Sequence, residues 1–110
     1  MQPRVTIMIP TFNQEDFIGE AIESAMAQDY KNIEIIISDD NSQDGTREKV
    51  KKYLLDKRIK YFRNEVNLGR VMNYRKLLNE YSNGDWVVNL DGDDYFSDNE
   101  FISKAINSIK

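Results

Sequence analysis

Residues 33–40 read IEIIISDD, a run of isoleucines that ends on two adjacent aspartates. Ile35, Ile36 and Ile37 are consecutive, so both faces of an extended strand would be apolar here. Strands of this kind are typical of parallel sheets with helices on both sides. In sheets with one solvent-exposed face, by contrast, apolar and polar residues alternate along each strand. The stretch therefore predicts a buried strand of an α/β protein, with a polar turn at its carboxyl end.

Strand-like and helix-like segments alternate along the rest of the chain. The predicted strands are residues 5–9, 33–37, 59–62 and 86–90, and the predicted helices are 16–27, 46–55, 71–81 and 101–109. The first helix, for example, has apolar residues at positions 18, 21, 22, 25 and 26, which is amphipathic helical spacing. This βαβαβαβα order predicts a Rossmann-like, three-layer α/β/α fold with a mainly parallel sheet.

Local signals mark several helix ends. Asn13 or Gln14 is predicted to cap the first helix, and Ser97 opens a capping box before the last one. Gly84 is predicted to close the third helix in the usual C-terminal position. That helix is expected to bury an apolar stripe formed by Val71, Tyr74, Leu78 and Tyr81.

The composition narrows the possible chemistry. The chain has 110 residues, no cysteine and no histidine, so one domain is expected, without disulfides, thiolate metal sites or the commonest general base. Any metal must take oxygen ligands, which favour hard cations such as Mg²⁺ or Mn²⁺. A net charge of −4 argues against nucleic-acid partners. The apolar run at 5–9 is too short for a signal peptide or a membrane span.

Polar turns follow three of the predicted strands, at residues 11–14, 39–42 and 91–94. In parallel sheets, ligands bind beyond the carboxyl ends of the strands, where the strand order reverses. A strand order of 3-2-1-4 would bring these three turns side by side. The first turn lacks the glycines of a dinucleotide site, and the chain contains no P-loop.

The acidic turns instead suggest a diphosphate held through a divalent cation, which reverses the local charge. Asp93 is the natural metal ligand in this interpretation, with Asp94 or a bridging water beside it. Asp39 and Asp40 lie elsewhere on the same edge, where a carboxylate can accept hydrogen bonds from a nucleobase N–H or from ribose hydroxyls.

Four motifs in this order resemble those of a family 2 glycosyltransferase with the GT-A fold. They are the opening strand with its Pro-x-aromatic-Asn turn (7–13), Asp-Asp-x-Ser-x-Asp-Gly-Thr (39–46), Asn-x-Gly (67–69) and Asp-x-Asp (91–93). The resemblance implies that Asp93, with Asp91, binds Mn²⁺ or Mg²⁺. It implies nucleotide-sugar contacts by Thr11, Asn13, Glu15, Asp39, Asp40, Asp91 and Asp93.

The same resemblance implies a function. It predicts inverting transfer of a sugar from a nucleotide-diphosphate sugar, most often a UDP-sugar, to a saccharide or lipid-linked acceptor, as in cell-envelope polysaccharide synthesis. The location would be cytoplasmic, which can include the inner face of the membrane. Residues 1–110 would form the nucleotide-diphosphosugar-binding part of a truncated catalytic domain, with the catalytic base beyond residue 110.

Two other functions fit parts of the pattern. A metal-binding receiver-like module would also have an acidic pocket, but receivers place acids after the first strand and a lysine after a fifth. Here the first turn has no acid, and no fifth strand is predicted. A non-catalytic interaction domain that kept only the fold is the third alternative.

Overall fold

The computed structural model describes residues 2–109, and its helices and strands follow the predicted order. The strands are β1 (Val5–Thr11), β2 (Ile33–Asp39), β3 (Ile59–Arg63) and β4 (Trp86–Asn89). The helices are α1 (Ile18–Met26), α2 (Thr46–Lys51), α3 (Arg70–Lys76) and α4 (Phe101–Ser108). A 3₁₀ turn (Lys52–Leu55) extends α2, and a π-helical turn (Leu77–Tyr81) extends α3.

The four strands form one sheet, all parallel, which confirms the predicted sheet type, and their order is β3-β2-β1-β4. In the register of the sheet, Ile7 of β1 lies beside Ile35 of β2 and Val88 of β4. The strand order reverses at β1, because β2 lies on one side of it and β4 on the other. The three polar turns that follow these strands therefore meet at one edge of the sheet.

The buried strands are apolar on both faces because each face has its own helical layer. Ile7 and Ile35 face the larger core, to which α1, α2 and α4 contribute. Met8 and Ile36 face the opposite layer, where they pack with Leu77. This arrangement is the three-layer α/β/α fold that the isoleucine run predicts.

The predicted cap of α1 is wrong. The helix begins at Ile18 with no side-chain cap, and the backbone carbonyl of Gln14 accepts the Ile18 N–H at 2.8 Å. The side chain of Asn13 instead accepts the backbone N–H of Gln43 at 2.8 Å, and that of Gln14 bonds Thr11. Asn13 thus joins two turns at the sheet edge, and Gln14 stabilises its own turn. α4 likewise begins without a side-chain cap, and Asp98 rather than Ser97 accepts the N–H of Glu100, the residue before the helix.

The predicted buried stripe of α3 is also wrong. Asn73 and Leu77 are the buried residues of this segment, whereas Val71 is 63% exposed. Tyr74 and Leu78 are exposed as well, and Tyr81 is half-buried. The helix is rotated relative to the prediction because a polar side chain, that of Asn73, forms buried hydrogen bonds with β2.

The sequence predicts that Gly84 closes α3, but the backbone of Gly84 is not left-handed. It lies against β1, where its N–H donates to the hydroxyl of Thr6 at 2.8 Å. A Cβ at this position would approach the backbone nitrogen of Thr6 to 2.6 Å. Glycine is therefore needed for a close approach between two backbone segments.

Candidate functional site

A cleft of about 350 Å³ opens at the sheet edge where the turns after β1, β2 and β4 meet the start of α3. Its position is the one that the topology predicts for a ligand site. It is lined by Pro10, Thr11, Phe12, Gln14, Asp40, Asn67, Gly69, Arg70, Asn73, Asp91 and Asp93.

Four of the seven residues predicted to bind a nucleotide sugar line this cleft: Thr11, Asp40, Asp91 and Asp93. The other three, Asn13, Glu15 and Asp39, do not line it. Asn13 has a left-handed backbone (φ 51°) and links the β1 turn to Ser42 and Gln43. The backbone N–H of Glu15 points toward Asp44, at 3.3 Å from its carboxylate. These residues therefore join the turns around the cleft.

Asp39 is fully buried beneath the cleft. Its carboxylate accepts the backbone N–H of Ser42 at 2.8 Å and the hydroxyl of Tyr61. Burial raises the pKa of Tyr61 well above its usual value, and the hydrogen bond and charge of Asp39 raise it further. The Tyr61 hydroxyl therefore stays protonated and donates to Asp39. Asp39 in turn holds the turn that carries Asp40.

The same turn is anchored to α2 by Asp44. Burial alone would raise the pKa of this carboxyl, but hydrogen bonds from Thr46 and from the Glu15 backbone outweigh burial and lower the pKa. Asp44 accepts both the N–H and the hydroxyl of Thr46, at 3.0 and 2.6 Å, so it caps the first turn of α2.

Asp40 is buried and faces the cleft with a carboxylate that is held by three donors. Its Oδ1 accepts the backbone N–H of Leu68 at 2.7 Å and the amide of Asn64 at 3.0 Å. Its Oδ2 accepts the N–H of Gly69 at 2.9 Å. An ionised carboxylate has about four acceptor positions. Three are thus occupied by the protein, and one remains, on Oδ2.

A buried amide network lies behind Asp40, and sequence reasoning missed it. The Oδ1 atom of Asn73 accepts the Ser38 hydroxyl at 2.7 Å and the Asn64 amide at 2.9 Å. The Asn64 amide carbonyl in turn accepts Lys76 Nζ at 3.2 Å, which orients the amide so that its NH₂ faces Asp40. The available signal was the Asn-x-Gly turn alone, because Asn73 lies outside the predicted apolar stripe of this helix.

Asp91 and Asp93 bring two further carboxylates to the cleft from the turn after β4. Asp91 accepts Arg70 Nη2 at 3.3 Å and the amide of Asn89 at 3.1 Å. The Arg70 side chain is 88% exposed, so this ion pair adds little stability. Within residues 2–109 no three acidic side chains cluster closely enough to surround a cation by themselves.

Gly92 explains how the β4 turn fits against the β1 turn. Its N–H donates to the carbonyl of Pro10 at 3.1 Å. A Cβ at this position would lie 2.2 Å from Gln14 Oε1 and 2.5 Å from Thr11 Oγ1. The glycine of the Asp-x-Asp motif is thus needed because it lets Asp91 and Asp93 approach Thr11.

We expect Gly92→Ala to lower the free energy of unfolding by about 1–3 kcal/mol, because the new methyl group overlaps Thr11 and Gln14. Urea denaturation of wild type and variant measures this difference. Gly45→Ala is the matched control, since its Cβ would meet only the flexible carboxylate of Glu15, at 2.6 Å. Equal stabilities of Gly92→Ala and wild type would contradict this account of the contact.

No helix among residues 2–109 has the length and hydropathy needed to cross a bilayer.

Comparisons with known proteins agree with the fold. Residues 6–110 match the model of Glycosyl transferase family 2. The GalNAc(5)-diNAcBac-PP-undecaprenol beta-1,3-glucosyltransferase of Campylobacter jejuni is 38% identical to this chain over 109 residues, which are 97% of this chain and 33% of that protein.

Two solved structures are similar over 96% of this chain and 32% of their own. TarS of S. aureus in complex with UDP has a TM-score of 0.87 and 30% identity. The mannosyltransferase PcManGT from Pyrobaculum calidifontis, with GDP-Man and Mn²⁺, has a TM-score of 0.87 at 24% identity and shows the shared fold. This chain thus spans about a third of the length of these relatives. It belongs to glycosyl transferase family 2 and has the GT-A type of Rossmann-like fold.

Proposed function

We propose that the cleft binds a nucleotide-diphosphate sugar, the donor of a metal-dependent, inverting sugar transfer. The observation that carries this proposal is the convergence of Thr11, Asp40, Asp91 and Asp93, from three separate turns, on one cleft. Such a site suits a ligand with several distinct parts: a base, a ribose and a charged diphosphate. The proposal concerns donor binding by residues 1–110, as the nucleotide-diphosphosugar-binding part of a larger enzyme.

Asp40 is the proposed contact of the nucleobase. Its single free acceptor position suits a base with one N–H at its pairing edge, as in the imide of uracil. Guanine would present two adjacent N–H donors and would need two free positions. TarS, a relative of 30% identity, was solved with UDP, which supports a UDP-sugar as the donor.

The other predicted site residues, Asp39, Asn13 and Glu15, are proposed to hold the turns that form the cleft. Asp39 holds the turn of Asp40 from below, and Asn13 and Glu15 tie the β1 turn to the segment that leads into α2. Thr11 is proposed to lie beside the nucleoside, since its side chain lines the cleft and is oriented by Gln14 at 2.6 Å.

Asp93 and Asp91 are the residues that would hold Mn²⁺ or Mg²⁺. Both offer carboxylate oxygens, which these cations prefer, and Mg²⁺ commonly combines one or two carboxylates with substrate phosphates. Asp91 and Asp93 do not surround a cation by themselves, so a coordination shared with substrate phosphates suits this pair. A bound cation would neutralise charge on the departing nucleoside diphosphate. Without it, the carboxylates lining the cleft would repel the diphosphate.

The acceptor is proposed to be a saccharide or a lipid-linked saccharide in cell-envelope polysaccharide synthesis. The name of the Campylobacter jejuni relative specifies an undecaprenol-linked acceptor, which supports this class. An acceptor of this kind would place the reaction at the cytoplasmic face of the membrane.

Titration calorimetry with UDP, GDP and CDP, each with and without Mn²⁺, tests the proposal. We expect UDP to bind tightest and its affinity to rise at least tenfold with Mn²⁺, because the cation converts repulsion into attraction. Thermal shifts measured with the same ligands provide an independent readout. If none of the three nucleotides bound, the result would contradict the proposal and favour a non-catalytic interaction domain.

A further inference from the structure

The charges of this protein are unevenly distributed. Residues 47–57 carry five basic and two acidic side chains, a net charge of +3 in a chain whose total is −4. The basic residues are all exposed, on the outer face of α2 and the turn that follows it. We call this region the α2 surface; it consists of Arg47, Lys49, Lys51, Lys52, Leu54, Leu55 and Lys57.

Most of this positive charge is not neutralised locally. Glu48 pairs with Lys51 at 3.2 Å, and Asp56 pairs with Arg58 at 2.8 Å, so both acids of the segment already have partners. Within the described part of the chain, residues 2–109, no ion pair includes Arg47, Lys49, Lys52 or Lys57. All four are exposed, on α2 and the turn that follows it, and Lys52 Nζ lies 5.1 Å from the centre of the Tyr53 ring.

Two leucines stand among these cations. Leu55 is 90% exposed and Leu54 is 40% exposed, whereas Val50 and Tyr53 on the opposite side of the same segment are buried in the core. The backbone of the segment is thus held by the core while the leucines project outward. A single exposed leucine would need no explanation. An exposed leucine pair bordered by uncompensated lysines is the combination found on surfaces that bind anionic lipid.

We propose that the α2 surface docks this protein on anionic phospholipid bilayers. In this arrangement Leu54 and Leu55 enter the headgroup boundary, and the lysines lie against the lipid phosphates. The remainder of the chain is strongly acidic, so the same membrane repels it, and this opposition orients the molecule. The acidic turn at 91–94 is then held away from the lipid charge.

The docking does not depend on donor binding. Residues 40–45 lead from the end of β2 into α2, so α2 begins beside the cleft. Leu54, Leu55 and Lys57 lie at the other end of this helical segment, just before β3 begins at Ile59, so the docked bilayer lies toward the sheet edge away from the cleft. The two proposals can fail separately, because vesicle binding and UDP binding are measured independently.

Vesicle co-sedimentation of the 110-residue chain tests the proposal. We expect binding to phosphatidylcholine vesicles that contain 30 mol% phosphatidylglycerol, and at least tenfold weaker binding to pure phosphatidylcholine, since each cation contributes about fivefold. Raising NaCl from about 50 to 500 mM should weaken binding strongly, because salt screens the attraction.

Two variants locate the contact. Lys52→Glu/Lys57→Glu should reduce anionic-vesicle binding by tenfold or more, and Leu55→Ser should reduce it severalfold at unchanged charge. The charge-matched control is Arg75→Glu/Lys104→Glu, on α3 and α4, and the apolar control is Val71→Ser, 63% exposed on α3. All substituted positions are exposed, and circular dichroism verifies folding.

Three results would overturn the proposal. The first is no binding to anionic vesicles, and the second is equal binding to anionic and neutral vesicles. The third is that Arg75→Glu/Lys104→Glu reduces vesicle binding as much as Lys52→Glu/Lys57→Glu does. Self-association through the α2 surface without vesicle binding would also overturn it, since the acidic remainder of a second copy would then be the partner. Sedimentation velocity on wild type and Lys52→Glu/Lys57→Glu detects that outcome. A UDP titration in the same samples reports separately on the cleft.

Discussion

Asp40→Asn is expected to shift nucleotide preference from UDP toward CDP and to lower Tm by roughly 5–15 °C. The asparagine carbonyl must replace Oδ1, which accepts two N–H groups, so its NH₂ takes the place of Oδ2. That NH₂ faces the N–H of Gly69, and a hydrogen bond is lost. The free acceptor toward the cleft becomes a donor, which repels the uracil imide and suits N3 of cytosine.

Calorimetry with UDP, CDP and N3-methyl-UDP measures this change, and thermal denaturation measures the stability. In wild type, the N3-methyl group should weaken UDP binding about tenfold or more, because it removes the donor that Asp40 accepts. In Asp40→Asn, UDP and N3-methyl-UDP should bind equally weakly. The matched control is Asp44→Asn, which alters a carboxylate outside the cleft and keeps a good helix cap.

Two outcomes would count against the assignment of Asp40. The first is a wild-type protein that binds UDP and N3-methyl-UDP with the same affinity. The second is an Asp40→Asn variant that is destabilised but keeps the UDP preference, which would make Asp40 a purely structural anchor of the Asn67–Gly69 turn.

Asp93→Ala is expected to reduce UDP affinity in the presence of Mn²⁺ by roughly 10- to 100-fold, while affinity measured without metal stays almost unchanged. The reason is that Asp93 lines the cleft and offers one of only two carboxylates in the β4 turn that do so. Removing it also removes negative charge near the diphosphate, so the small change expected without metal is a slight gain in affinity.

Asp94→Ala is the matched control for this experiment. It removes the same charge from the same turn, but Asp94 does not line the cleft and accepts the neighbouring N–H of Tyr95 at 2.8 Å. We expect it to change UDP affinity with Mn²⁺ less than threefold. A chelator should reduce wild type to the level of Asp93→Ala. If both alanine variants behaved alike, the proposed metal role of Asp93 would be wrong.

The parallel sheet and the turns that form the cleft could be predicted because they rest on periodicity and residue type, whereas the order 3-2-1-4 entered only as a condition. The isoleucine run 35–37 requires cover on both faces, and alternation of helices and strands then requires parallel pairing. The polar turns after β1, β2 and β4 could be identified from residue types alone, and the described sheet brings all three together.

The hydrogen-bonding role of each polar residue could not be predicted in the same way. Asn13 and Gln14 have the residue types of helix caps, yet the side chain of Asn13 bonds to another turn and that of Gln14 bonds to Thr11 in its own turn. The orientation of α3 was mispredicted because its apolar residues suggested the wrong face, and Asn73 bonds Ser38 across 35 residues of sequence. Partners this distant in the chain leave no local pattern.

From the sequence alone follow the α/β class, the alternation of strands and helices along the chain and the acidic character of the turns that form the cleft. These features depend on apolar periodicity and on residue charge, which act within a few residues. Only the tertiary structure decides that Asp40 retains one free acceptor, that Gly92 must lack a side chain and that Asn73 is buried. Those properties depend on distances of a few ångströms between segments far apart in the chain, and only packing sets such distances.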